Sequence, residues 1–210
     1  MPTTRWWWIR HAPVTDDGGR VYGQRDLPAN VSDAASFEAL ARRLPAGAVW
    51  VTSQLQRTDQ TARAIAAAGA DFTEPLVEAD LAEQHFGDWQ GQVRDEIFKR
   101  HGDPHALWLA PVGVAPPGGE SFVQLTERVA RAIDALTRAH AGRDIVAVAH
   151  GGTIRAALGL ALDLAPARAI GFAADNLSLT RIDHIESRRA GAVWRVVAVN
   201  LPAREPGQAK

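Results

Sequence analysis

Three short segments of the chain are apolar and lack the alternation of polar and apolar positions that marks a half-exposed strand. They are RWWWIR at 5–10, AVWVTS at 48–53 and RDIVAVAH at 143–150. Uninterrupted apolar segments of this length are typical of parallel strands that are covered on both faces. We therefore predict three buried strands, and a further extended segment around 76–79.

Apolar residues at helical spacing occur between and after these strands. The predicted helices lie at 31–44, 54–69, 118–140 and 153–162. Ser32 and Ser53 stand where a side-chain oxygen can cap the first two helices. Ser121 and Gln124 form a capping box at the start of the third helix.

The alternation of strands and helices predicts an α/β fold, a three-layer α/β/α sandwich with a mainly parallel central sheet. Two late segments, 177–183 and 192–200, are expected to form a hairpin at the sheet edge. A chain of 210 residues fits one domain, which we place at 1–200. Residues 201–210 have no core-forming pattern and are expected to be a flexible tail.

The composition argues against several classes of function. A formal net charge of -1, with both signs interspersed, gives no general attraction for nucleic acid or an anionic membrane. Without cysteine there is no disulfide, thiolate nucleophile or cysteine zinc site. No apolar segment approaches the roughly 20 residues of a membrane helix, and no signal-peptide pattern is present. We expect a cytoplasmic protein.

Charged side chains follow the predicted buried strands at their carboxyl ends. Arg10 and His11 end the first strand, His150 ends the third, and Arg57 lies in the first turn of the helix after the second. Ligands bind at this edge of such sheets, so two histidines and two arginines can converge there. With the N–H groups of the helix after His150, they predict a site for a tetrahedral anion such as phosphate.

Four segments occur along the chain in the order IRHAPVT, TSQLQRTDQTA, LAEQHFGDWQG and VAHGGTIR. They resemble the four signature segments of the histidine phosphatase superfamily, which is also called phosphoglycerate-mutase-like. VYGQRDLP and PPGGES are further similar to the small α-ribazole phosphatases of that superfamily. The resemblance covers most of the chain and implies a phosphoglycerate-mutase-like fold.

The resemblance also implies a phosphomonoesterase that works through a phosphohistidine. His11 would be the nucleophile, and Glu83 would protonate the leaving group and later activate water. Arg10, Arg57 and His150 would stabilise the transferred phosphoryl group. The residues expected to bind substrate are Thr15, Tyr22, Gly23, Gln24, His85, Gly151 and Gly152.

The loop after His11 departs from the family pattern. Ala12 replaces the usual glycine, and Pro13 and Val14 replace a polar pair. Thr15 lies one position after the place where the family pattern often has threonine or serine. The sequence therefore does not determine how this loop contacts phosphate.

The segment 84–120 is expected to form a lid over the site, because it is a long connection that carries Trp89, Phe98 and Trp108. His101 and His105 are expected at the surface. No cofactor or metal is expected, and the expected partner is a small-molecule phosphomonoester. The alternatives are a phosphoglycerate mutase and a non-catalytic phospholigand-binding protein on the same fold. The sequence leaves open whether the protein is a monomer or a homodimer.

Overall fold

The computed structural model describes residues 2–101, 107–187 and 191–204, apart from the side chain of His101. Within these ranges the strands are β1 (Thr3–Arg10), β2 (Val49–Thr52), β3 (Leu76–Val77), β4 (Asp144–Ala149), β5 (Leu179–Ser187) and β6 (Gly191–Leu201). They form one sheet in the order β3-β2-β4-β1-β5-β6. The strands β3, β2, β4 and β1 are parallel, and β5 and β6 join antiparallel at one edge. The predicted mainly parallel sheet with an edge hairpin is confirmed.

Helices cover both faces of this sheet. They are α1 (Ala34–Ala41), α2 (Gln56–Ala67), α3 (Arg94–His101), α4 (Phe122–Ala139), α5 (Gly151–Ala161) and α6 (Pro166–Ala169). Single 3-10 turns lie at Ala79–Leu81 and Gly87–Trp89. The apolar residues of α4 and α5 pack on one face of the sheet, and those of α1 and α2 pack on the other. The α/β/α arrangement predicted from the pattern is therefore present.

The tryptophans of β1 belong to the core. Trp6 and Trp8 face α4 and α5, and their rings stack at 4.8 Å between centroids. Trp7 points to the opposite face, where its indole nitrogen donates to Asp144 at 2.9 Å. Both faces of the strand are thus packed, which holds its carboxyl end in place.

Helix α3 lies in a segment for which the sequence predicts irregular structure. Its sequence RDEIFKRH is strongly polar, so no apolar face marks it as a helix. Ile97 is the buried residue that anchors it, in a small cluster with Val21, Phe86 and Trp89. Because these partners lie outside the helix, and Val21 comes from a distant part of the chain, local periodicity does not show the helix.

Two predicted helix caps differ from the structure. Asp33, and not Ser32, caps α1 by accepting from the N–H of Ser36. Leu55, and not Ser53, stands at the cap position of α2 and provides no side-chain cap. Ser53 lies two residues earlier, where its hydroxyl accepts from the N–H of Leu55 at 3.2 Å. The capping box at the start of α4 is present as predicted, with side chain to backbone bonds in both directions.

Leu201 and Ala203, which the sequence pattern assigns to the tail, belong to the packed fold. Leu201 pairs with Leu179 in the sheet, and Ala203 is buried against the face that carries α1 and α2. Residues 205–210 lie outside the described residues, as do His105 and the side chain of His101. In the described part of the chain, no helix is long and apolar enough to cross a membrane.

Candidate active site

The two predicted histidines meet where β1 and β4 end side by side. Arg10 is the register partner of Ala149, so His11 and His150 leave the sheet at the same level. The backbone N–H of His11 donates to the carbonyl of Ala149 at 2.9 Å. The two imidazole rings lie edge to face with 5.1 Å between centroids. The convergence expected from the strand ends therefore occurs.

His11 is buried and held in one orientation. Its Nδ1 lies 2.6 Å from the carbonyl oxygen of Ala12, and since a carbonyl only accepts, Nδ1 carries the proton. The Nε2 atom is left with a free lone pair. Burial, and then the positive charge of Arg57, lower the pKa of His11 well below its usual value. The imidazole is therefore neutral at neutral pH, which is the form that can attack phosphorus.

The hydroxyl of Ser53 fixes the orientation of the His150 ring. Its Nε2 lies 2.8 Å from the Ser53 hydroxyl. Burial, followed by the charge of Arg57, lowers the pKa of His150 well below its usual value, so this ring is also neutral. When the hydroxyl donates to Nε2, the neutral ring keeps its proton on Nδ1.

Unpaired nitrogens collect in this small region. Nδ1 of His150, Nε of Arg10 and Nε of Arg57 are buried and have no hydrogen-bond partner among the described residues. Buried polar atoms in proteins are normally paired, and an unpaired group often marks a ligand. Donors of this kind, grouped beside a neutral imidazole, indicate a site for an oxyanion.

The two predicted arginines are anchored by backbone carbonyls. The fully buried Arg57 donates to the carbonyls of Gly23 at 2.6 Å and Arg25 at 2.9 Å, and its guanidinium lies 5.2 Å from the Tyr22 ring. Arg10 donates to the carbonyl of Ala174 at 2.6 Å. Burial lowers the pKa of Arg57. Each arginine keeps further N–H groups for a ligand because these anchors use only part of its donors.

Glu83 faces the start of α5. Its carboxylate accepts from the backbone N–H of Gly152 at 3.1 Å and from that of Gln84 at 3.0 Å. The carboxyl group therefore lies at the positive end of the helix dipole. A Cβ on Gly152 would lie 2.3 Å from Glu83 Oε1, so a side chain at this position would displace the carboxylate.

A partly buried ion pair that the sequence reasoning missed holds the segment carrying Glu83. Arg128 of α4 pairs with the carboxylate of Glu120 at 2.6 Å. It also donates to the carbonyls of Asp80, Ala82 and Glu83 at 2.7 to 2.9 Å. Arg128 lies outside the quoted segments and Glu120 lies in PPGGES, but only the tertiary contacts reveal the role of either residue.

A cavity of about 690 Å³ opens beside these groups. The residues that line it are Arg10, Val21, Tyr22, Gly23, Glu83, Phe86, Arg94, Phe98, Leu107, Trp108, Leu109, Gly151 and Arg155. The predicted lid segment thus contributes an aromatic and apolar wall. Arg155 was not predicted, although it lies in the quoted segment VAHGGTIR.

The residues expected to bind substrate take different places. Gly151, Tyr22 and Gly23 line the cavity. The side chain of Gln24 instead donates to the carbonyl of Glu83 at 2.8 Å, and Gly152 binds the carboxylate of the same residue. These two residues therefore position Glu83.

Thr15 and His85 do not line this cavity. Thr15 is exposed, and its hydroxyl lies 3.4 Å from the carbonyl of Pro28. His85 accepts from the backbone N–H of Gly87 at 3.3 Å through Nδ1. Over the ranges that the structure covers, no cluster of three histidine or carboxylate side chains could hold a metal ion.

Comparison with known proteins supports the family resemblance that the four segments indicate. The family model described as "Histidine phosphatase superfamily (branch 1)" matches residues 6–198. The chain therefore belongs to this superfamily, and the resemblance read from the sequence is confirmed.

Individual relatives cover the chain to different extents. The bifunctional protein Rv2228c of Mycobacterium tuberculosis is 36% identical over 167 residues, which are 76% of this chain and 44% of that protein. The chain thus spans under half the length of this relative. Glucosyl-3-phosphoglycerate phosphatase of Mycolicibacterium vanbaalenii is 33% identical over 174 residues, 74% of each protein. The native structure of mycobacterial glucosyl-3-phosphoglycerate phosphatase Rv2419c aligns with a TM-score of 0.80 at 26% identity, covering 95% of this chain and 99% of that one.

Proposed function

We propose that this protein is a phosphomonoesterase that hydrolyses a small-molecule phosphate ester through a phosphohistidine on His11. The observation that carries the proposal is the pairing of a neutral His11, whose Nε2 is free, with unpaired buried nitrogens on Arg10, Arg57 and His150. A nucleophile and a set of oxyanion donors at one point are what phosphoryl transfer requires.

In the first step Nε2 of His11 attacks phosphorus, and the bond from phosphorus to the ester oxygen breaks. Glu83, in its protonated form, gives its proton to the departing alkoxide. Negative charge spreads over the equatorial oxygens, where Arg10, Arg57 and the Nδ1–H of His150 donate to it. A neutral His150 is sufficient for this role because it acts as an N–H donor.

In the second step the carboxylate of Glu83 takes a proton from water, and the water oxygen attacks phosphorus. The bond between phosphorus and His11 breaks, inorganic phosphate leaves, and Glu83 is protonated again. Gln24, Gly152 and Arg128 hold Glu83 through both steps by bonding its carbonyl or its carboxylate.

The segments VYGQRDLP and PPGGES support α-ribazole 5'-phosphate as one substrate of such an enzyme. The same core could also return the phosphoryl group to a second hydroxyl, as a phosphoglycerate mutase does. A mutase would move phosphate between hydroxyls of phosphoglycerate without net release, so a coupled assay separates the two activities.

The test is to trap the phosphohistidine. Purified protein is mixed with a ³²P-labelled phosphomonoester and quenched in alkali, which preserves phosphohistidine. Wild type should carry an acid-labile label, and His11→Ala should carry none and should not turn over, while its circular dichroism spectrum is unchanged. Turnover of His11→Ala near the wild-type rate, or the absence of label and turnover in wild type with every ester of a broad screen, would reject the proposal. The second result would favour a non-catalytic binding protein.

A further inference from the structure

A side chain of the predicted lid segment reaches back to the residue that follows the proposed acid. The indole Nε1–H of Trp108 donates to Oε1 of Gln84 at 2.7 Å. Gln84 comes directly after Glu83, and its backbone N–H donates to the Glu83 carboxylate at 3.0 Å. Two hydrogen bonds through one residue therefore join Trp108 to the group that would protonate the leaving alkoxide.

Gln84 is fully buried, and both ends of its side-chain amide are bonded. Its Nε2 donates to the carbonyl of Glu120 at 2.7 Å, at the end opposite to Trp108. A carbonyl only accepts and an indole N–H only donates, so these two partners fix the orientation of the amide. Because an unpaired buried amide group costs free energy, loss of either partner would favour another side-chain conformation. The position of the Gln84 backbone N–H therefore depends on both partners.

The N–H of Gln84 bonds to one particular oxygen of the acid. This oxygen is Oε1 of Glu83, which also accepts from the N–H of Gly152 at 3.1 Å. The second oxygen, Oε2, lies at a longer 3.3 Å from the N–H of Gly152. Bonds from N–H groups disfavour a proton on the oxygen that accepts them, so the acidic proton belongs on Oε2. Gln84 thus helps to decide which oxygen presents the proton to the leaving group.

The ring of Trp108 forms part of the cavity wall. It packs edge to face on the buried Phe122 of α4, with 5.3 Å between centroids. The centroid of Phe86 lies 6.2 Å away, and the guanidinium of Arg155 lies 5.2 Å from the ring. The indole is therefore held against the core, borders the space for a leaving group, and directs its nitrogen to Gln84.

Other tryptophan N–H groups bond within the core of the fold. Trp6 donates to the hydroxyl of Thr137 at 3.0 Å, and Trp50 donates to the carbonyl of Asp71 at 3.0 Å. Neither of these tryptophans lines the cavity. The bond of Trp108 differs because it ends on the segment that carries the acid.

We propose that Trp108 is a positioning residue for Glu83 and acts through Gln84 to set the carboxyl group in line with the leaving oxygen. This inference rests on the proposed function. Without the indole N–H, the Gln84 amide loses one of its two anchors, and its backbone N–H holds Oε1 less firmly. A misplacement of about 1 Å can cost about 100-fold in rate. The loss should fall on the step in which the leaving group needs a proton.

The experiment measures single-turnover phosphorylation of His11 by an alkyl ester and by a nitrophenyl ester over a range of ester concentrations. Trp108→Phe keeps an aromatic ring in the wall and removes the N–H. Its maximal rate with the alkyl ester should fall by about 10- to 100-fold. Its rate with the nitrophenyl ester should fall by less than about threefold, because a phenolate leaves without a proton. The ester concentration that gives half the maximal rate should change little.

Gln84→Met tests the second member of the connection. Methionine is close to glutamine in size but has no amide group, so the bonds to Trp108 and Glu120 are both lost. This variant should show the same selective loss with the alkyl ester. The double variant with Trp108→Phe should lose no more than Gln84→Met alone, since residues that act through one connection are not additive.

Trp50→Phe is the matched control. Trp50 also donates one indole N–H to an oxygen, and its ring also meets a phenylalanine edge to face, at 5.1 Å from Phe72. The substitution therefore removes the same groups from β2, away from the cavity. Its midpoint of unfolding in urea should fall, as that of Trp108→Phe should, while both phosphorylation rates stay at the wild-type values.

The outcomes separate this inference from the proposed function. If Trp108→Phe slows both esters equally, or changes only the concentration dependence, Trp108 supports the wall or binds substrate, and the inference is overturned while the phosphatase remains. Losses that multiply in the double variant also overturn it, because the two residues then act independently. Absence of all turnover in wild type, with nitrophenyl phosphate included, rejects the phosphatase and this inference with it, since no acid step is left to be positioned.

Discussion

Gly152→Ala should impair the proposed acid without touching the nucleophile. The glycine lies in the first turn of α5, and its N–H donates to the carboxylate of Glu83 at 3.1 Å. An added Cβ would lie 2.3 Å from Glu83 Oε1, whereas ordinary contact begins at 3.4 Å. The carboxylate must therefore retreat by about 1 Å, and a misplacement of this size can cost about 100-fold in rate.

The assay is single-turnover phosphorylation of His11 by two esters. An alkyl ester needs a proton for its leaving alkoxide, so we expect its rate to fall by about 100-fold in Gly152→Ala. A nitrophenyl ester expels a stabilised phenolate and should lose about tenfold less than that. Alanine is favoured over glycine in a helix by about 1 kcal/mol, which offsets part of the lost hydrogen bond, so the fold should persist.

Gly113→Ala is the control, because a Cβ there meets no atom within 4 Å and its backbone is not in the left-handed region. It should leave both rates unchanged. If Gly152→Ala lowers both rates by the same factor, Glu83 positions phosphate and does not act as the acid. If neither rate changes, the carboxylate is not held where the structure places it.

Three further results are expected. Arg57→Ala should lower kcat/KM by about 10- to 100-fold, since it removes a charge-assisted contact to phosphate worth roughly 1.5 to 3 kcal/mol; an unchanged value would remove Arg57 from the site. Turnover should persist in excess chelator, because arginine and histidine neutralise the phosphate, and activity that returns only with added metal would contradict this. The folded-state pKa values of His11 and His150 are lowered, so below about pH 6.5 the unfolded chain binds protons that the folded chain does not. The free energy of unfolding in urea should therefore fall with decreasing pH, by up to about 1.4 kcal/mol per pH unit for each histidine, and His11→Asn should show a visibly smaller slope.

Local sequence determined the layers of the fold and the positions where charged side chains follow the ends of the strands. Apolar strands without alternation, helical spacing and the capping box each act over a few residues, so they can be read without knowing the partners. The convergence of His11 with His150 could also be predicted from the sequence, because parallel strands end at one edge of a sheet. The resemblance of four segments to the family signatures identified Glu83 as the candidate acid and indicated the superfamily.

Tertiary structure alone decided the groups that position and surround this chemistry. Arg128, paired with Glu120, holds the Glu83 segment through carbonyls that lie more than forty residues away in the chain, and carbonyls give no signal in a sequence pattern. Helix α3 forms around Ile97 because of distant apolar partners. Arg155 reads as an ordinary helix residue until Gly151, Phe172 and Trp108 are seen around it.

The pKa values of the two histidines show the same division. The sequence determines that His11 and His150 are present, but the lowering of both pKa values depends on burial and on the positive charge of Arg57. Burial is a property of the whole packed chain, because every layer that excludes water contributes to it. Residue types and short-range order are therefore determined by the sequence itself, whereas charge state, orientation and the shape of the cavity are determined only when distant segments pack together.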